Sequence, residues 1–407
     1  MKLSEIIKEY PTPFYLYRKK ELTAVVDQIR RILPDKGVCF AMKAAPILTP
    51  LLSGITDRIE VCSPGEYEIC LRAGVSPAKL LISGVNKTRE DLLRVLDTAG
   101  AAAVFTVESA RQLSLLEEAA AERDVSIQVC IRLSSGNQFG VDETQLWELC
   151  GRAYQSQRLK LSGLHYYAGT QKQEKRIEKE LALLAEIGRK AANENRSKLW
   201  LEYGPGLLVD YYAGIDSAPK RERAREEALK MLAGAAEASG IGQYYDLVTF
   251  EYGRFIAAWA GDYLTGVADL KKTEKNHYCI LDGGIHQLSY FGSMAGMKIP
   301  PVKVYDKTGE RLMADAKTAP QQEYLLAGSL CSSNDVLARK ISLPELSIGD
   351  VLRFELAGAY ALTESMALFL SRDLPAVLLE DEEKVVLLRR RMLTDGINDG
   401  SQIKEVK

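Results

Sequence analysis

"VCFAMKAAP", residues 38–46, has the apolar composition of a buried strand until it reaches Lys43, which places an ammonium group at the strand's end. A strand this apolar is buried on both faces, and parallel strands joined by helices are the arrangement that covers both. With its flanking residues the stretch reads as "GVCFAMKA" (37–44), and seven similar runs follow: "RIEVCS" (58–63), "LLISGV" (80–85), "AAVFTVES" (102–109), "SIQVCIRL" (126–133), "LSGLHYYAG" (161–169), "LWLEYGPG" (199–206) and "LVTFEYGR" (247–254). Helical stretches with recognisable starts lie between them: Thr88 before "REDLLRVL", Ser109 with Gln112 three residues on, and Asp142 with Gln145. Eight such units describe an α/β fold, a TIM-type (β/α)8 barrel, over residues 31–270.

After about residue 270 the pattern changes. "HYCILDGG", "PVKVYD", "EYLLAGSLC", "DVLRFELAGAY", "PAVLLE" and "KVVLLRRR" follow one another with Gly, Pro and Asp turns and little helical periodicity. This predicts a C-terminal β-rich, barrel- or sandwich-like domain over 271–380, then a strand and a polar tail over 381–407. The segment 1–30 contains "TPFYLY", strand-like and ahead of the first helix, and is expected to pair with the β-rich domain.

The composition excludes several function classes. Lys plus Arg (53) nearly balances Asp plus Glu (55), with no long run of one sign, which removes the basic footprint of a nucleic-acid binder. No stretch approaches the ~18 apolar residues of a spanning helix, and the first residues lack a secretory apolar core; a cytoplasmic chain acting on a small molecule is expected. Seven cysteines without a C-x-x-C pair read as reduced thiols, with no metal site.

In a TIM barrel the chemistry collects at the C-terminal ends of the strands. Lys43 closes the first run, Glu60 and Ser63 the second, Arg132 the fifth, His165 to Thr170 the sixth, Gly204 to Gly206 the seventh, and Glu251 with Arg254 the eighth. Each has a plainer reading: a snorkelling lysine, a tight turn, a surface ion pair, a core histidine. Gathered on one rim they describe a site for an anionic aldehyde cofactor, with an amine for a Schiff base, a backbone cradle for an anion and a carboxylate for a ring nitrogen.

The motifs "AMKAAP", "EVCSPGE", "QFG" (138–140), "LHYYAGTQ", "EYGPG", "FEYGR", "LDGG", "GSLCSSND" and "AGAY" occur in this order. Together they resemble the fold type III pyridoxal-phosphate (PLP) decarboxylases, the family of diaminopimelate, ornithine and arginine decarboxylases, over roughly residues 11–380. In look the chain is most similar to the siderophore-pathway and butirosin-type carrier-protein amino-acid decarboxylases. The resemblance implies PLP as cofactor, held covalently by Lys43, and a homodimer with shared active sites. Gly204, Gly206, Thr170, Arg254 and Tyr360 match phosphate-binding positions, Glu251 the partner of the pyridine nitrogen, and Tyr167 the ring-stacking position, with Arg132 and His165 also on the cofactor side. Cys331 matches a catalytic cysteine donated across the dimer interface, with Ser332 and Asp335 of the same loop facing substrate.

The chain departs from the family pattern at Tyr167, where histidine is common, and at Pro205, Tyr252 and Ala361. Ser332 stands where the classical enzymes tend to carry a carboxylate for a distal cation on the substrate. That last departure implies an acylated, siderophore-precursor or carrier-bound amino acid, in secondary metabolism. The alternative is a diaminopimelate or basic amino-acid decarboxylase of primary metabolism. A racemase on the same cofactor would pair the ring nitrogen with arginine, which Glu251 argues against. A cofactor-free binding relative would have no reason to keep Lys43, Glu251, Arg254, Cys331 and Tyr360 together.

Overall fold

The computed structural model describes residues 2–194, 198–214, 217–313 and 321–401. The last six residues of the polar tail expected at the C-terminus lie outside them. The chain divides into two units. One comprises Met1–Leu22, Asp210–Arg221 and Ala257–Lys407; the other comprises Thr23–Val209 and Glu222–Ile256.

In the first unit, β1 (Phe14–Arg18) belongs to a mixed nine-stranded sheet, and in the second, β2 (Gly37–Ala41), β3 (Arg58–Val61), β4 (Leu80–Ile82), β5 (Val104–Val107), β6 (Ile127–Arg132), β7 (Leu159–Tyr167), β8 (Leu199–Gly204) and β9 (Tyr245–Tyr252) close into a barrel. All eight barrel strands are parallel, and β9 pairs with β2 to complete the ring. Each run expected from the sequence is present. The strands stop short of the expected ends because the chemistry-bearing residues sit in the loops beyond them. Ser63, Thr88, Ser109 and Asp142 each accept a hydrogen bond from the backbone N–H three residues on, fixing four helix starts. Inside the barrel, Leu81, Val104, Cys130 and Trp200 form one packed layer. Gly163 makes room for it, since a Cβ there would sit 2.6 Å from the Trp200 ring.

The sheet continues with β10 (Gly261–Lys272), β11 (His277–Leu281), β12 (Val302–Tyr305), β13 (Gln321–Ala327), β14 (Val336–Pro344), β15 (Val351–Phe354), β16 (Ala376–Asp381) and β17 (Lys384–Arg389). Its main path runs β14-β13-β11-β10-β1-β16-β17, with β15 bridging β10 and β12. β1 is antiparallel to β10 and parallel to β16. Ile6, Phe14, Leu16, Leu264, Val351 and Leu378 form a core on it. Within this sheet, Asp262 of β10 is wholly buried and ion-paired to Arg18 of β1 and Arg353 of β15. Burial pushes its carboxyl up, but the two guanidinium groups outweigh that and hold it at about 2.

Candidate active site

Lys43 lies two residues past β2, in a short 3₁₀ turn, Met42–Ala44. Its Nζ is 2.7 Å from Glu60 Oε2 on β3 and 3.6 Å from Cys62 Sγ, and the Cys62 thiol is 3.3 Å from Glu60 Oε1. Burial raises the Glu60 carboxyl, yet the adjacent ammonium outweighs it and keeps the group below the usual carboxylate range. The Cys62 thiol is pushed up, first by burial and then by Glu60. Glu60, His165 and Glu251 each bring one polar atom within 4.8 Å of the others, so the lysine end and the β7–β9 end face one lumen.

At that second end the polar groups are less satisfied. Glu251 Oε1 is 3.0 Å from His165 Nε2, within ion-pair range, but the approach lacks hydrogen-bond geometry, and both ring nitrogens and this oxygen are buried without a hydrogen-bond partner. Tyr167 lies beside them. A Cβ on Gly204 would come within 2.5 Å of its ring and 3.2 Å of Glu251 Oε2. Lys43 Nζ and Lys172 Nζ each lie 5.6 Å from the Tyr167 ring centroid.

The loops after β7 and β8 are locked together. Gly206 adopts φ +59°, and a Cβ there would lie 2.2 Å from the Gly169 carbonyl oxygen and 3.1 Å from Thr170 Cα. Only glycine allows both the conformation and the approach. The Lys172 N–H donates to the Gly206 carbonyl at 2.9 Å, and Arg254 Nε reaches Thr170 Oγ1 at 3.4 Å. Thr170, Gly204, Gly206 and Arg254 thus form a glycine-rich concavity with a guanidinium beside it, suited to an anion.

Arg132, at the end of β6, ion-pairs with Glu108 at 3.0 Å, and its guanidinium lies 4.9 Å from the Phe139 ring centroid. Glu108 also accepts from the Gly140 N–H at 3.3 Å, which folds the "QFG" loop onto the arginine. Glu108 was not singled out from the sequence, and neither was the Lys172–Glu180 pair (2.6 Å), which also takes in the Tyr203 hydroxyl at 2.9 Å. Burial lowers the Lys172 ammonium.

Cys331, Ser332, Asp335 and Tyr360 belong to the other unit. Cys331 is exposed, and Ser332 Oγ accepts from the Asn334 N–H at 3.3 Å. Asp335 differs from the expected substrate ligand: it is buried, and its two oxygens accept from the Ile285 and Leu330 N–H groups at 2.8 Å each, so the carboxylate anchors its own loop. Tyr360 has φ +63°, a left-handed conformation that costs a non-glycine residue about 1 kcal/mol or more and clusters at ligand sites.

Residues 14–358 match the family described as "Pyridoxal-dependent decarboxylase, C-terminal sheet domain". The chain belongs to this family. It is 29% identical to the diaminopimelate decarboxylase of Pseudomonas aeruginosa over 98% of this chain and 95% of that one. It is 26% identical to the L-glutamyl-(BtrI acyl-carrier protein) decarboxylase of Niallia circulans over 97% and 95%. The crystal structure of Helicobacter pylori diaminopimelate decarboxylase complexed with L-lysine shares its fold, with a TM-score of 0.81, 22% identity and 97% of each chain covered. The chain is accordingly a PLP-dependent decarboxylase. The residues present fit the cofactor: Glu251 holds a buried acceptor without a partner, and the cradle at Gly204 and Gly206 has no room for a Cβ. No helix among the described residues is long and apolar enough to cross a membrane.

Proposed function

We propose that the chain removes the α-carboxyl of a free amino acid with a second polar end, diaminopimelate or a basic amino acid, using PLP attached to Lys43. The observation that carries the reading is the facing of Lys43–Glu60 across one lumen from the unpartnered oxygen of Glu251. Diaminopimelate decarboxylases that align along nearly the whole chain support the substrate class, and favour primary metabolism over the secondary metabolism expected from Ser332.

When bound, PLP supplies a conjugated ring that accepts the electron pair left at Cα as CO₂ departs. The protein's residues do the rest. Glu60 Oε2 holds the Lys43 ammonium and fixes Nζ at the rim. Glu251 accepts a ring N–H, keeping that nitrogen protonated and the ring electron-poor. Arg254, Thr170, Gly204 and Gly206 would hold the phosphate from the barrel. Tyr167 and His165 flank the ring, and Arg132 is kept in place by Glu108. The Cys331 thiol returns a proton to Cα from the neighbouring subunit of a homodimer. Support for that assembly comes from a set of exposed apolar side chains in the β-rich unit: Met366, Leu368, Phe369, Leu370, Leu393 and Ile397.

A second reading, a substrate tethered to a carrier protein or acylated at its far end, is favoured by Ser332, which offers a hydroxyl where a distal ammonium needs a carboxylate. Leaving such a charge unpaired costs on the order of 100-fold or more in kcat/KM. Comparing kcat/KM for diaminopimelate, lysine, ornithine and arginine with acylated and pantetheine-linked analogues separates the two. Preference for a free diamino acid supports the first reading. Turnover confined to acylated or tethered analogues replaces it with the second.

A further inference from the structure

Side chains on β8 alternate between the lumen and the helices outside. The Tyr203 hydroxyl reaches outward to Glu180 of the helix Glu174–Glu194, which puts Trp200, Glu202 and Gly204 on the inner face. Glu202 is wholly buried, and among the described residues neither of its carboxyl oxygens accepts from an N–H or O–H group, the Cys39 thiol being the polar hydrogen nearest to it. The titratable groups facing it are Cys39 from β2, Arg58 and Glu60 from β3, Cys130 from β6, His165 from β7 and Glu251 from β9. Arg58 stacks on the Trp200 ring, 4.0 Å from its centroid, and among the described residues forms no ion pair with Glu202. One oxygen of Glu202, one of Glu251 and Cys39 Sγ all lie within 4.8 Å of one another. Two buried carboxyl groups this close disfavour a second negative charge, and unlike Glu60, which has the Lys43 ammonium 2.7 Å away, Glu202 has no cation in ion-pair contact among the described residues.

We infer that Glu202 is a neutral carboxylic acid, a positioning residue that lies beside Glu251 and leaves Glu251 as the carrier of the pair's single negative charge. The proton belongs to Glu202 because that side chain is the deeper one, at 0% exposure against 7% for Glu251. Burial, followed by the Glu251 charge, also drives the Glu202 carboxyl well above its ordinary range. The Cys39 and Cys130 thiols are likewise held neutral by burial and cannot supply a competing charge. With Glu202 neutral, Glu251 meets the cofactor's ring nitrogen as an anion of fixed orientation. The inference concerns the cofactor side of the site and holds whichever amino acid is decarboxylated.

The test is infrared absorption of the purified full-length protein at about pH 8, where exposed carboxyl groups are ionised. The wild-type protein should show the carbonyl stretch of a protonated carboxyl, and Glu202→Gln should lose one such band while Glu251→Gln keeps it. Absence of any protonated-carboxyl band in the wild type overturns the inference without a variant having to fold. So does a Glu202→Gln spectrum that loses only ionised carboxylate absorption. Stability against pH gives an independent readout. A carboxyl whose folded pKa is raised binds its proton more tightly in the native state, so wild-type stability falls as pH rises above about 4.5. Glu202→Gln removes this slope, and the ratio of its folding constant to wild type should grow by up to about ten-fold per pH unit. Parallel stability curves would contradict the inference. Glutamine preserves shape and donor, so Glu202→Gln should retain cofactor affinity within a few-fold while Glu202→Ala weakens it at least ten-fold; equal losses in both would contradict the positioning role.

Discussion

Asp262 in the β-rich unit and Glu202 in the barrel are both carboxyl groups with no solvent exposure, and their surroundings treat them in opposite ways. Asp262 is gripped by Arg18 and Arg353, and its carboxyl sits at about 2. Glu202 has, among the described residues, no ion pair and only the Cys39 thiol as a polar neighbour besides a second carboxyl group, Glu251. A charge buried for structure is neutralised by the chain itself, because a lone one costs several kcal/mol. Polar groups left open in a lumen mark the place where a ligand completes the set. By that criterion the barrel's inner rim at β7–β9 is a binding site, and the arginine pair within the sheet is scaffold.

The sharpest contrast comes from removing one partner of an ion pair in each region. Lys43→Ala should cut decarboxylation by more than about 1,000-fold, since the covalent attachment point is lost. It should lower stability by only about 1–3 kcal/mol: Glu60, at 3% side-chain exposure, loses its partner, but the Lys43 side chain is a third exposed and water can take its place. Steady-state kinetics beside a denaturant titration checks both halves. If sites are shared between subunits, mixing Lys43→Ala with Cys331→Ala under conditions of subunit exchange should recover part of the activity; a mixture as inactive as its parents argues for sites confined to one chain.

Asp262→Asn should do the reverse. It strands two half-buried guanidinium groups and leaves a buried amide in place of their partner, at a cost of about 3–5 kcal/mol in unfolding free energy. The effect is pH-dependent with a definite sign. A carboxyl depressed in the folded state contributes stability above its unfolded pKa of about 3.9 and loses it as pH falls through about 2. The wild-type advantage over Asp262→Asn should therefore shrink across that window and be flat above it. Smallest is Tyr203→Phe, which removes one hydrogen bond to Glu180 and should cost about 1–2 kcal/mol in thermal or chemical unfolding with kcat unchanged.

The barrel was legible because its strands are apolar on both faces, as in "GVCFA", so burial leaves a mark that needs no knowledge of partners. The β-rich unit was harder to read. β14, "VLARKISLP", mixes exposed and buried positions, the outer half of β10, "ADLKK", is exposed but for a half-buried Leu270, and β10 begins at Gly261, ahead of the change of pattern near residue 270. Within the site, Lys43, Glu251 and the glycine turn could be named because strand ends are where barrel chemistry gathers. Glu108, Glu180 and Glu202 escaped notice since an isolated acid in a sequence looks the same whether it faces water, an arginine or another acid. Glu202 did leave one signal. It lies two residues before Gly204, and the period of two puts both on the face that meets the cofactor.

The central claim is that Lys43 is the lysine to which PLP is attached, and reduction of the purified protein with borohydride followed by peptide mapping tests it most directly. Lys172, which is buried, and Lys87, which is half-buried, are two other lysines of the barrel unit and provide the internal comparison. The pyridoxyl group should be found on the peptide containing Lys43 and absent from those containing Lys87 and Lys172. Its appearance on either of those, or on no lysine at all in protein that binds the cofactor, would contradict the account.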